Sequence, residues 1–404
     1  MKISLNYDET DIKYTLLDDI FNIIDSRKVI QIFARNNVKN TTMMKKCLKI
    51  LLTSIFFTCN VSDVVYEANR TENNAKFLGL TDGIPSKDQV YEYLSRYDSS
   101  QYTNIVNSIL KLNNRARGNS KKTFIVDASC VAHDINTARK YIPEEKLENI
   151  SGKWAFSKNK GYYIGYTVTI VLDSETLCPV SILIHSGSPN DARIFDEILE
   201  ELCRRRLIRN GDILICDRGY YSYENYIIGI IKYKIVPFIF PKSPFKIKKL
   251  DGDLSYPLDI YKKPKELEKA KQLFNNLKKE LFKKLEEWKE YKSVRGIIED
   301  FFKVTKQAFG MDKIHAYTEE SIKRNILFTV LVTYLTIKDK FTSKTKLQQL
   351  AEGKLEEPPT SKNKKKSEKE ETKPKEEKSV LQTLDNYKLF KFKKEIITTL
   401  EYFS

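Results

Sequence analysis

At Lys122 the spacing of apolar residues changes from every three or four positions to short β-rich runs, and this change constrains the fold more than any other feature of the chain. Upstream, 43–57 reads as a buried helix, Ser62 as the cap of 63–69, and Ser86-Lys87-Asp88-Gln89 as a capping box after the break Gly83-Ile84-Pro85. Helix, turn and capped helix is the pattern of a helix-turn-helix and equally of a helical bundle. Downstream, five strands are predicted, over 123–126, 162–172, 180–185, 213–216 and 235–240. Asp173-Ser174-Glu175-Thr176 joins the second to the third as a hairpin-like link, whereas 191–205 and 223–233 read as helical crossovers. Three antiparallel strands followed by alternating helix and strand predict a mixed α/β sheet.

The chain of 404 residues carries 70 Lys plus Arg against 54 Asp plus Glu, a net charge of +16 at pH 7. That balance favours a polyanionic partner, nucleic acid or an anionic membrane surface. The longest apolar runs, 47–59 and 325–337, hold 13 residues each, short of the ~20 that span a bilayer, so no transmembrane helix is expected. The N-terminal residues turn acidic before an apolar stretch develops, unlike a secretory signal, and a cytoplasmic location is expected. Six scattered cysteines make no C-x-x-C pair, and three histidines leave a structural zinc site without a ligand set. Cys130, Cys178 and Cys216 lie in apolar or strand-like surroundings and read as small core side chains.

Composition divides the chain further. Residues 1–118 form a helical N-terminal region, and 119–241 the first part of the sheet domain. Residues 242–290 are a basic helical insertion, in which Pro264 suits a first turn and Leu267, Ala270, Phe274, Leu277, Leu281, Leu285 and Trp288 recur every three or four positions. A solvated helix packed by its apolar stripe and an arm laid along DNA are both compatible with that pattern. Residues 291–345 supply the closing helices, including a buried one over 319–337; 346–378 is a charged linker and 379–404 a helical tail. Between Glu352 and Lys378 there are nine Lys, eight Glu and one aliphatic residue, Leu355, too little apolar area to offset the entropy of ordering, so disorder is expected.

Two aspartates end apolar strand-like runs: Asp127 after Thr-Phe-Ile-Val, and Asp217 after Ile-Leu-Ile-Cys and before Arg218-Gly219-Tyr220. Side chains at strand ends of an open α/β sheet project into the crevice where ligands bind. The two fall on the first and fourth predicted strands, which can be neighbours in a mixed sheet. A third carboxylate comes from a predicted helix on which Arg295, Glu299 and Lys306 share one face, because steps of four and eleven residues at ~100° each return to within a ~40° arc. Asp134, Asp173, Asp191 and Asp300 are rival acids. Asp300 is the nearest competitor but points ~100° away from Arg295 and Lys306.

Taken together and in order, these blocks resemble the DD[E/D] insertion-sequence transposases that carry a C-terminal signature of Tyr, two residues, Arg, three residues, Glu, six residues, Lys. Arg295, Glu299 and Lys306 fit that spacing in full; Tyr291 lies one position early, with Lys292 in its place. Asp217-Arg-Gly-Tyr resembles the second-aspartate block and Val126-Asp127-Ala-Ser the first. The resemblance implies an α/β fold: a ribonuclease-H-like mixed five-stranded sheet with helices, preceded by a helical DNA-binding region and interrupted by the basic insertion. It implies that Asp127, Asp217 and Glu299 bind two Mg²⁺ ions, which Mn²⁺ can replace, for cleavage and strand transfer at terminal inverted repeats. Arg295, Lys306 and Arg218 would face phosphates, and Trp154 would either stack an unpaired base or cover the sheet edge. Double-stranded DNA, a homodimer assembled on it and a nucleoid-associated location are the implied partners and place. A catalytically inactive DNA-binding descendant and another nuclease of the same core are the alternatives.

Overall fold

The structure is a computed structural model and describes residues 11–113, 120–132, 152–157, 161–243, 245–255, 263–314, 316, 318–338, 340–341 and 343–353. They divide between two compact units.

The described parts of the first unit are 11–109, 303–311 and 324–353. It is helical: α1 (Ile12–Asp25), α2 (Arg27–Arg35), α3 (Thr41–Phe56), α4 (Val61–Arg70), α5 (Glu72–Phe77), α6 (Lys87–Ser95) and most of α7 (Ser99–Asn113). Short polar side chains start these helices as the sequence predicts. Asn40 Oδ1 accepts the Met43 N–H at 2.9 Å ahead of α3, and the Ser86–Gln89 box closes in both directions at 3.2 and 2.9 Å. At α4 the cap is Asn60, whose own N–H is taken by Asp63 at 3.2 Å, so the predicted cap Ser62 lies inside the first turn. The link from Leu78 to Ser86 between α5 and α6 is longer than the 3–4 residues of a tight helix-turn-helix turn. Helix α13 (Glu319–Ile337), as predicted from its apolar run, enters this unit from Arg324 onward, where Phe328 meets Tyr102 edge-on at 5.5 Å. A last helix, α14 (Lys344–Ala351), is capped by Ser343 and buries Leu347, Leu350 and Ala351. The charged linker expected from residue 346 therefore does not begin there, because these three side chains give a helix a face to bury. The rest of the linker and the tail lie outside the described residues.

In the second unit the described residues run within 110–302 and 312–323. Its sheet has six strands, not the expected five: β1 (Thr123–Ala132), β2 (Lys153–Ser157), β3 (Gly161–Asp173), β4 (Pro179–Ser186), β5 (Ile213–Cys216) and β6 (Val236–Ile239). The order is β2-β3-β1-β5-β6, with β4 also on β3. Strands β1 and β4 pair antiparallel with β3, whereas β5 and β6 run parallel to β1. The sixth strand, β2, pairs with Gly161–Gly165; its Lys-Trp-Ala-Phe-Ser is too short to show a period. At Gly187, φ +81°, the chain leaves β4, and a Cβ there would sit 3.1 Å from Lys153 Cβ at the start of β2. Helices α8 (Asp191–Arg204) and α9 (Tyr223–Ile227) lie in the predicted crossovers. They are followed by α10 (Ile247–Asp253), the long α11 (Pro264–Glu286) and α12 (Lys292–Gln307). Along α11 the stripe is buried at Phe274, Leu277, Leu281 and Leu285. Among the described residues no single helix is long and apolar enough to cross a membrane.

The entrance to β1 is held by a buried acid. Asp212 accepts the Lys122 N–H at 2.9 Å through one oxygen and the Arg209 N–H at 2.8 Å through the other. Backbone bonds continue from there, Ile213 N–H to Lys122 O at 2.9 Å and Val236 N–H to Asp212 O at 2.8 Å, so β1, β5 and β6 start at one level. Lys122 Nζ is paired with the fully buried Asp173 at the far end of β3. Replacing Asp212 by Ala orphans two partly buried donors, and each such loss costs about 1–3 kcal/mol. Asp212→Ala is therefore expected to lower the unfolding free energy of this unit by about 2 kcal/mol or more, and Asp212→Asn, which keeps one acceptor, by roughly half as much. Urea unfolding followed by the fluorescence of Trp154 and Trp288 measures this, and an unchanged midpoint for Asp212→Ala would remove the residue from the account of strand pairing.

Candidate active site

The parallel register of β1 and β5 sets Val126 beside Cys216. One residue further along, Asp127 and Asp217 are neighbours on the same face of the pleat. Asp127 does not end its strand as predicted. Strand β1 continues to Ala132, because β3 is long enough to pair with it as far as Gly165. Asp127 Oδ1 accepts the Ala128 N–H at 2.9 Å, which leaves Oδ2 for the site. Asp217 follows β5 directly and opens the short 3-10 turn Arg218–Tyr220, in which the Tyr220 N–H returns to the Asp217 carbonyl at 3.1 Å.

Helix α12 supplies the rest. Val294, Ile297, Ile298, Phe301, Phe302 and Val304 are buried, and that orientation turns Arg295 and Glu299 to the opposite face. The Arg295 guanidinium then reaches all three acids through one nitrogen, Nη2: Glu299 Oε1 at 2.8 Å, Asp217 Oδ2 at 3.3 Å and Asp127 Oδ2 at 3.7 Å. Asp300 falls on the buried side of the helix, with one carboxylate oxygen lacking a partner among the described residues.

Burial pushes the Asp127 carboxyl up to about 7; the Ala128 N–H and the Arg295 charge pull it down, and the charges of Asp217 and Glu299 push it up. Three carboxylates around one guanidinium leave the cluster two charges negative when all are ionised. Their oxygens are hard donors of the kind that Mg²⁺ or Mn²⁺ accepts. Among the described residues no three acids are already arranged as a cage. The three are instead gathered about the Arg295 cation, and as carboxylates they are donors of the kind such an ion takes.

Two further residues neighbour this cluster: Asp191, read from the sequence only as a rival acid, and Trp288, read only as part of the apolar stripe of the insertion. Asp191, at the start of α8, lies close to Gly219: a Cβ there would be 2.3 Å from its Oδ2, so a larger residue two places after Asp217 would have to displace that carboxylate. Burial and the charge of Asp217 raise the Asp191 carboxyl. Trp288, on the turn before α12, has Lys292 over its ring at 4.7 Å and Arg218 at 5.9 Å. Contacts between distant segments leave no local signal, although Asn190-Asp191 as a helix start was legible. Tyr291, one position early for the signature, packs on Phe238 at 4.8 Å and accepts a hydrogen bond from Lys284 Nζ at 3.0 Å.

The remaining predicted residues lie elsewhere. Lys306 is on the last turn of α12, in the 303–311 segment that groups with the helical unit. Trp154 is on β2, 71% exposed, together with Phe156 at 55% and Tyr162 at 79%. Asp173 is bound to Lys122, and Asp134 lies outside the described residues.

A carboxyl that titrates near 7 when folded and near 3.9 when unfolded holds a proton in the native state that the unfolded state has lost. Through this group, stability therefore falls as pH rises from about 4 to 7. In cation-free protein, ¹³C NMR of labelled Asp is expected to show the Asp127 carboxyl titrating near 7. Arg295→Gln should move that midpoint up and Glu299→Gln should move it down. A midpoint near 4 in the parent protein would contradict the burial argument.

Comparison with known proteins places this geometry. Among curated proteins none matches the chain. Solved structures that resemble it include a piggyBac transposase synaptic complex with hairpin DNA, at 10% identity and TM-score 0.39 over 88% of this chain and 84% of that one. A Drosophila P element transposase strand transfer complex also matches, at 11% identity and TM-score 0.26 over 83% and 90%. Likenesses that distant carry no argument about the site. The family model described as "Transposase DDE domain" matches residues 118–335, more than half of the chain and the stretch from β1 through Asp127, Asp217 and Glu299 into α13, and the chain belongs to that family.

Proposed function

We propose that the protein is a DNA transposase that cuts and rejoins phosphodiester bonds at the terminal inverted repeats of an insertion sequence, using Asp127, Asp217 and Glu299 to hold two divalent cations. The observation that carries this reading is the convergence of acids from β1, β5 and α12 on a single cationic group. A mixed sheet with two acids on adjacent parallel strands and a third on a packed helix also supports the ribonuclease-H-like description of the core. When bound, Mg²⁺ or Mn²⁺ supplies Lewis acidity at the scissile phosphate and lowers the pKa of water.

The chain's own groups do the rest. Asp127 is pinned by the Ala128 N–H so that one oxygen faces the substrate. Arg295 offers its guanidinium to a phosphate oxygen, and Arg218, held against Trp288, offers another cation on the same side. Lys306 contacts DNA outside the acidic cluster, Trp154 stacks an unpaired base, and the N-terminal helices bind the element's ends as duplex. A homodimer assembled on DNA at the nucleoid completes the reading.

Asp127→Asn, Asp217→Asn and Glu299→Gln are each expected to reduce Mg²⁺-dependent nicking of a duplex carrying the inverted repeat to background while leaving binding of that duplex intact. Asp300→Asn is expected to keep most activity. Normal cleavage by all three variants would remove these acids from the chemistry, whereas no cleavage by the parent would leave a DNA-binding protein. Separately, Lys306→Ala should weaken binding similarly for all sequences and flatten the plot of log affinity against log salt by roughly one counterion. An unchanged slope would remove Lys306 from the interface.

A further inference from the structure

Arg295 occupies the place that the proposed reaction needs for cations. Its Nη2 lies within 3.7 Å of an oxygen from each of the three acids. The pair with Glu299 is an i, i+4 contact on α12, so the guanidinium can leave by side-chain rotation without moving the helix. Its Nε is buried and has no hydrogen-bond partner among the described residues, so in the resting pose none of them satisfies that donor. A guanidinium is also the side-chain group best matched to a phosphate, through two parallel N–H bonds.

Charge dictates what must follow. The acids contribute three negative charges and Arg295 one positive. Two divalent ions added with Arg295 in place would put three cations in one small site and leave it net positive by two. The same ions added while Arg295 points at an entering phosphate have an anion to share.

From this we infer that Arg295 is a resident counter-ion that closes the acidic cluster to divalent cations until a DNA phosphate draws it away, so that cation loading and DNA engagement are positively coupled. The inference rests on the metal-binding reading of Asp127, Asp217 and Glu299 and adds its regulation. In the absence of DNA the cluster keeps a cation supplied by its own chain. Because such coupling is reciprocal, the cation must tighten DNA binding by the same factor by which DNA tightens cation binding. Arg295 is in this respect a positioning residue, one that decides when the acids are available.

The test is Mn²⁺ binding by the full chain, followed by loss of the free-ion electron paramagnetic resonance signal, with the fraction lost in Asp127→Asn subtracted as non-site binding. Without DNA, Arg295→Gln is expected to bind Mn²⁺ at least tenfold more tightly than the parent, and Arg295→Lys to stay close to the parent because it keeps the charge. Saturating duplex should tighten Mn²⁺ binding by the parent about tenfold or more and change Arg295→Gln much less. The parent measured with and without duplex decides the matter even if Arg295→Gln does not fold, since equal Mn²⁺ affinity in the two conditions overturns the coupling. Equal Mn²⁺ binding by the parent and Arg295→Gln without DNA overturns the closure and leaves the metal reading standing. If the parent with duplex binds no more Mn²⁺ than Asp127→Asn, the metal reading fails and this inference falls with it.

Discussion

Everything at the acidic cluster depends on the parallel pairing of β1 with β5. Asp127 and Asp217 are 90 residues apart in the chain, and only the register Val126 to Cys216 makes them neighbours. Strand β5 has four residues, too few to hold a register by itself. Its entry is fixed instead by Asp212, which ties the backbone of Lys122 to the turn before β5, and by β6 pairing on its other side. Strand β1 is likewise flanked, with the thirteen-residue β3 along its second edge and Phe124, Ile125 and Val126 buried. Asp127 is therefore held on main chain paired along β3, and Asp217 directly follows a strand that is hydrogen-bonded on both sides, and rigid elements of that kind position a site more precisely than loops do.

Onto this frame α12 adds one acid and one base, and its rotation about its own axis is what matters. A turn of ~100° would replace Glu299 with Asp300. The six buried apolar side chains of the helix prevent it, since rotation would expose them. Ordinary i, i+4 ion pairs on an exposed helix contribute only a few tenths of a kcal/mol. Arg295–Glu299 is not of that kind, because the same guanidinium also faces two acids of the sheet, one of them with its carboxyl pushed up to about 7 by burial. Neutralising that cluster is an electrostatic requirement of the folded chain whether or not DNA is present.

Strand β3 links this cluster to the exposed aromatic side chains. Ile170 stands opposite Asp127, and Ile164 and Tyr162 stand opposite Trp154 and Phe156. Even-numbered positions of one strand share one face, so Trp154, Phe156 and Tyr162 project from the side of the sheet that carries Asp127. Six residues of β3 separate the level of Trp154 from that of Asp127, roughly 20 Å at ~3.3 Å per residue. Phe156 and Tyr162 contact each other at 5.1 Å, and Trp154 is 71% exposed.

How much of this was legible follows from which contacts are local. The capping box at Ser86, the hairpin at Asp173, the stripe of α11 and the shared face of Arg295 and Glu299 are all set by residues within a few positions of one another, and each agrees with the structure. Strand β1 runs six residues beyond its apolar pattern, which Asp127 and Ser129 interrupt, because the hydrogen bonds that extend it come from β3, some 40 residues away. Strand β2 leaves no pattern for a similar reason: its partner strand, rather than its own five residues, makes it a strand. Asp191 shows the limit most clearly. As a helix-starting residue it is ordinary, and only the packing of α8 beside the turn after β5 puts its carboxylate against Gly219, where a side chain would have to displace it. The closeness of the glycine in Asp-Arg-Gly-Tyr to an acid 28 residues upstream is a relation that no spacing within the motif contains.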